Sequence, residues 1–278
     1  MEYTEKTPEQ YHAEDLERIK NFRPIDDDFM RELFRNDIPL VQNVLRIITG
    51  IEDLTIVKQV TQYDMHRLAG ARSLCLDVFA TDSSGRHFDL EIQRADSGAT
   101  PRRARFHSSA MDVEYLGAGE EFANLPITYT IFITENDVRG KGEKIYTYSM
   151  RDDITSEALD DGRHIIFVNG AYNNENDKSA LANLIHDFRC NNADDMLLND
   201  LAERTRYFKE NEEGVSTMCK AIEDMKKEVA YRTDLKARIN FAISLINDGL
   251  YPLSKIASLT QLSEADVQEL AHSLNSNS

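Results

Sequence analysis

The sequence predicts an α/β core followed by a helical C-terminal region. Three observations carry that reading. Runs of strand length, apolar or alternating, recur through the first two thirds of the chain. Amphipathic patterns with three- and four-residue steps lie before and among them. From Lys178 onward the pattern is almost wholly helical. At 278 residues, 41% of them hydrophobic, the chain can bury a full core and is not of disordered composition.

In chain order, MEYTEKTPEQYHAEDLERIK is polar and acidic and reads as a tail over residues 1–21. After Pro24, the acidic trio Asp26, Asp27 and Asp28 precedes a helical pattern built on Phe29, Leu33, Phe34, Val41, Val44, Leu45 and Ile48. Gly50 is its stop, and Pro39 divides or kinks it. Leu54 to Tyr63 alternates as a strand. SLCLDVFATD and RHFDLEIQ follow as two strands joined by Ser83-Ser84-Gly85. A helix is expected from Pro101 to Leu116, before Gly117 and Gly119. ITYTIFIT reads as a buried central strand, and KIYTYSM and HIIFVNG as two more. The order defines an α/β core over 22–190 and a helical region over 191–278, without an internal repeat.

The hairpin decides which polar residues meet. Asp82 opens a type I turn, and Gly85 supplies the left-handed residue that closes a three-residue loop. Asp82 then pairs with Arg86, so Leu76 faces Ile92, Val78 faces Leu90 and Ala80 faces Phe88, all apolar. On the other face Asp77 opposes Glu91, and Cys75 opposes Gln93. Two facing carboxylates repel, so either water screens them on a solvated face or a cation joins them. Mg²⁺ suits the second case, because it takes one or two carboxylates and keeps room for a phosphate oxygen. Gln93, on the same face, could orient an attacking water or touch the phosphate.

The net charge of −17 argues against nucleic-acid binding over the whole surface, so a polyanion partner needs a local basic patch. Arg94, Arg102, Arg103 and Arg105 against Asp96 give +3 between Arg94 and Ser109 (four minus one). This is either a phosphate-binding helix or a solvated face. His107 and His186 are candidate bases or ligands, with His186 reading as a packing residue. ENDVRGKGEK lacks the spacing of a phosphate-binding loop. Cys75, Cys190 and Cys219 fit neither a zinc ribbon nor a disulfide framework. With no apolar run of membrane length and no signal peptide, the expected location is the cytoplasm, with no membrane partner. The C-terminal YPLSKIASLTQLSEADVQELAHSL holds two short amphipathic segments, with Ser263 as an N-cap. Its acidic second segment suits packing or a homo-oligomer contact at least as well as DNA reading.

Together these residues resemble the PD-(D/E)XK nuclease family transposases, a bacterial group related to the recombination-promoting nucleases. PIDDDFMRELF, LDVFATDSSGRHFDLEIQRAD, RRARFHSS, LPITYTIFITENDVRGKG, DGRHIIFVNG and LIHDFRCNNADDM carry the likeness in order, over roughly Phe22 to Lys209. The resemblance implies a restriction-endonuclease-like core of helix, three strands, helix and strand. It also implies a DNA endonuclease of mobile-element type using Mg²⁺, or Mn²⁺ in its place. By it Asp77 and Glu91 are metal ligands and Gln93 stands where the superfamily's usual Lys would be. Asp27 matches an acidic position ahead of the first helix, with Asp28 and Glu32 as competitors for that role. The Gln for Lys departure leaves a second reading, a catalytically inactive DNA- or protein-binding module that retains the nuclease fold.

Overall fold

A computed structural model describes residues 8–65, 74–94 and 98–276. The described residues divide into two compact units, one running to Ala221 and the other starting at Ile222.

The first unit begins with helices α1 (Pro8–Asn21), α2 (Asp27–Phe34) and α3 (Ile38–Thr49). The segment expected to be a tail thus carries a helix over its described part, and Ile19 is buried there. Pro39 divides the next pattern rather than kinking it. Asp37 caps α3 by accepting from the Leu40 N–H at 3.1 Å, and Pro39 sits in the first turn, where its missing N–H costs nothing. Gly50 ends α3 at φ 71°, a left-handed conformation that favours glycine.

Strands β1 (Ile56–Met65), β2 (Leu74–Asp82) and β3 (His87–Gln93) come next, then α4 (Pro101–Tyr115), β4 (Thr128–Thr134), β5 (Ile145–Tyr148) and β6 (Arg163–Asn169). They form one six-stranded sheet in the order β1-β2-β3-β4-β6-β5. β3, β4 and β6 run parallel at its centre, and the other neighbours pair antiparallel. α4 is the crossover that makes β3 and β4 parallel, and it packs back onto β4 and β6. The expected order of helix, three strands, helix and strand is therefore the order of α3, β1 to β3, α4 and β4. Helices α5 (Ala180–Arg189) and α6 (Asn199–Glu210) follow, and Phe188, Leu201 and Phe208 are buried.

Helix α7 (Glu212–Asp248) begins in this unit and runs into the second, which adds α8 (Leu253–Thr260) and α9 (Glu264–Ser276). There Ala242, Leu245, Ile256, Ala257 and Val267 form a small core. Ser263 caps α9, accepting from the Asp266 N–H at 3.1 Å while its hydroxyl donates to Asp266 Oδ2 at 2.6 Å.

Candidate active site

The β2–β3 hairpin has the register its turn chemistry demands. Val78 pairs with Leu90, Phe79 with Asp89, Ala80 with Phe88 and Thr81 with His87. Gly85 sits at φ 78°, and Asp82 Oδ1 accepts from the Ser84 and Arg86 N–H groups at 3.0 and 2.8 Å, locking the loop. The ladder ends at Val78 and Leu90, and beyond it carboxylates replace carbonyls as acceptors. The Asp77 N–H donates to Glu91 Oε1 at 3.0 Å, and the Ile92 N–H donates to Asp77 Oδ2 at 3.1 Å. Each acid is thus held by the opposite strand's backbone.

This face is not solvated. Asp89 and Glu91 are 0% and 1% exposed, because α4 lies over them. Burial lifts the Glu91 carboxyl well above the carboxylate range, with the charges of Asp89 and Asp77 adding to it. Burial lifts Asp77 and Asp89 in the same direction, with Asp27 adding to the effect on Asp77 and Asp77 to that on Asp89.

Two residues of α4, one turn apart, reach into this cluster. Arg103 Nη2 donates to Glu91 Oε2 at 2.8 Å, and Nη1 donates to Gln93 Oε1 and, at 3.1 Å, to the Gly98 carbonyl. Its Nε donates to His107 Nε2 at 3.1 Å, and its guanidinium lies over the Phe132 ring. His107, 1% exposed, meets Asp89 Oδ2 through Nδ1 at 2.9 Å. A Cβ at Gly98 would overlap the Gln93 side chain, so any larger residue there has to displace that amide.

The other arginines are dispersed. Arg94 pairs with Asp26 and Glu135, both at 3.1 Å. Arg102 and Arg105 are exposed on a different side of α4, where they line a cavity of about 320 Å³ with Tyr148, Met150 and Arg163. Asp96 lies outside the described residues.

The acidic trio is also divided. Asp26 is buried against Arg23 and Arg94, Asp28 pairs with Arg18, and Glu32 pairs with Arg35 at 2.8 Å. Asp27 is the one whose charge acts on Asp77, and burial raises its own carboxyl. Arg31, on the same helix, pulls both carboxyls down. Gln62 in β1 sits at φ 55° and donates through Nε2 to Asp77 Oδ1 at 3.2 Å. A non-glycine residue in that left-handed region stores strain, which here aims an amide at the acid.

The matched family closes the case for the fold's ancestry. A family model described as PD-(D/E)XK nuclease family transposase matches residues 38–248, which include the hairpin, α4 and the whole sheet. The chain belongs to that family. Neither the curated proteins nor the solved structures supply a match.

Membership in this transposase family brings a nuclease- or transposase-type function, and PD-(D/E)XK nucleases use divalent metals. The residues present fit such an ion. The donors are carboxylate oxygens, the chemistry a hard cation selects, and the buried Asp89 Oδ1 has no hydrogen-bond partner. Asp89, Glu91 and His107 offer ligand atoms within 4.8 Å of one another. Both His107 nitrogens are engaged, however, by Arg103 and Asp89. His186, Asp187 and Cys190 form a second such group, in which Asp187 already accepts from the Leu197 and Leu198 N–H groups.

Asp89, Gln62 and Gly98 escaped the sequence reading, and His107 entered it only as one of two candidate histidines. Asp89 shares the parity of Glu91 and could have been found by it. His107 follows Arg103 by four, one helical turn. Nothing in the sequence signals the left-handed backbone of Gln62.

Proposed function

We propose that this chain is a metal-dependent DNA endonuclease of mobile-element type, with Mg²⁺, or Mn²⁺ in its place, held by Asp77 and Glu91. The observation that carries the reading is the crossed pair of hydrogen bonds by which each strand's backbone fixes the other's carboxylate at the end of the hairpin ladder. The carboxylates are therefore pre-positioned on rigid strands, and both are lifted by burial, as expected of acids designed to share a cation. Asp27 is the third carboxylate of the site, supported by its charge coupling to Asp77. When bound, the ion supplies an acidified water and neutralises charge on the phosphate.

The protein's own groups divide the remaining work. Gln93 gives its amide oxygen to Arg103, which leaves its NH₂ to donate to a phosphate oxygen or to the attacking water. Asp89 and His107 hold the Arg103 guanidinium from behind. Arg94, Arg102 and Arg105 meet the DNA backbone, where a few phosphate contacts set register without reading sequence, while Arg103 serves the acids. Among the described residues no helix is long and apolar enough to cross a membrane. In this reading the partner is DNA and the setting is the cytoplasm.

Nicking of supercoiled plasmid in Mg²⁺ or Mn²⁺ tests the proposal. Asp77→Ala is expected to abolish it, and activity that survives both EDTA and this substitution refutes it. One observation favours a second reading, a catalytically inactive DNA- or protein-binding module: the position usually held by lysine is an uncharged Gln93. Salt-sensitive DNA binding without cleavage across several metals would establish that reading instead.

A further inference from the structure

A cation of the chain itself, Arg103, is in contact with Glu91. Its Nη2 lies 2.8 Å from Glu91 Oε2, and that carboxylate is 1% exposed. Such a pair is unlike a surface ion pair on its acidic side, because the Glu91 charge left alone there carries a large desolvation cost, whereas the Arg103 side chain keeps 37% of its surface in solvent.

Every nitrogen of the fork is engaged: Nη1 with Gln93 and Gly98, Nη2 with Glu91, Nε with His107. An arginine only donates, so His107 Nε2 must accept, which puts the imidazole proton on Nδ1. That Nδ1–H then donates to Asp89 Oδ2 at 2.9 Å. The chain Asp89–His107–Arg103 is therefore directional, and it aims one guanidinium at one oxygen of Glu91. The strand carries no charged group at Gln93, yet the site still receives a positive charge from the helix.

Taking Asp77 and Glu91 as ion ligands, we propose that Arg103 is the site's built-in counter-ion, which occupies Glu91 Oε2 until a divalent ion takes it. Guanidinium and ion compete for one carboxylate, since two cations a few ångströms apart repel.

The test is Mn²⁺ titration by calorimetry, with circular dichroism confirming the fold. Arg103→Met is expected to bind Mn²⁺ about tenfold more tightly than the unaltered protein, and Arg103→Lys, which keeps the charge, to stay within about threefold of it. Glu91→Gln in either background should abolish the binding. Equal or weaker binding by a folded Arg103→Met protein overturns the counter-ion role while leaving Asp77 and Glu91 as ligands. Absence of Mn²⁺ binding in both proteins overturns the ligand reading and the counter-ion role with it. Should Arg103→Met fail to fold, Arg103→Gln keeps donors for Gln93 and Gly98 and carries the same expectation.

Discussion

Replacing Asp77 by Asn removes one of two facing charges and keeps the shape of the side chain. Directly opposed residues hold their Cβ atoms about 5 Å apart, where two unit charges repel by about 3 kcal/mol at an effective dielectric of about 20. Arg103 on Glu91 offsets part of this, so the net relief is expected to be about 1–2 kcal/mol. Little is lost in exchange. The Asn oxygen still accepts from the Ile92 N–H, and Gln62 can turn its amide to accept from the new NH₂. In EDTA at pH 7 the variant should therefore melt higher than the parent, by roughly 2–8 °C at about 2–4 °C per kcal/mol. Burial raises the folded-state carboxyl of Asp77, so its contribution to stability is present in acid and lost as pH rises through the folded pKa. The gap between the two proteins should accordingly close toward pH 4. Mn²⁺ at about a hundred times its Kd should add about 2.7 kcal/mol to the parent and far less to the variant. A variant that melts at or below the parent in EDTA refutes the repulsion, and one that gains as much from Mn²⁺ shows that the ion is not held at Asp77.

Two other substitutions probe the site's surroundings. Gly98→Ala should push the Gln93 amide off Arg103 and lower plasmid nicking by about tenfold or more, a size consistent with misplacing one positioning group; unchanged turnover would mean that Gln93 does no work there. His87, stacked between Phe79 and Tyr115 with Nδ1 3.0 Å from the Thr81 hydroxyl, is lowered to about 4, first by burial and then by the charge of Lys58. Its folded pKa lies below the unfolded value of about 6.5, so its contribution is complete above pH 6.5 and is lost as pH falls toward 4, about 3 kcal/mol in all. Urea midpoints measured from pH 7 to 4 should show that loss in the parent and not in His87→Phe; parallel curves would rule it out.

The fold was legible wherever a local rule acted alone. Turn chemistry at Asp82 and Gly85 set the hairpin register, and the buried run ITYTIFIT marked the central parallel strand. Pro39 and Gly50 bounded a helix by conformations that few other residues accept. The helix Pro8–Asn21 was not legible, because its polar sequence shows no apolar stripe, and its order depends on contacts such as that of Ile19 with the core. Order of this kind belongs to tertiary packing rather than to propensity.

The site was half legible, for a reason of period. Strand parity is two, so opposing Asp77 to Glu91 required only the turn between them, and a one-residue error would have mixed apolar and charged faces. The arginines lie on a helix, where neighbours in sequence diverge by about 100°. Arg102, Arg103 and Arg105 form one basic run in the sequence but face two directions in space, and only Arg103 meets the carboxylates. Counting their charge together suggested a patch. Their angular spacing, with the buried Ala104, His107, Ser108 and Met111 marking the inward face of α4, assigns a single arginine to the acids and leaves two for solvent or backbone phosphates. The inward face could be inferred only once α4 was known to cross from β3 to β4, since that crossover decides which side of the helix the sheet covers. Charge in a helix thus becomes informative about chemistry after topology is known, whereas charge in a hairpin is informative before it.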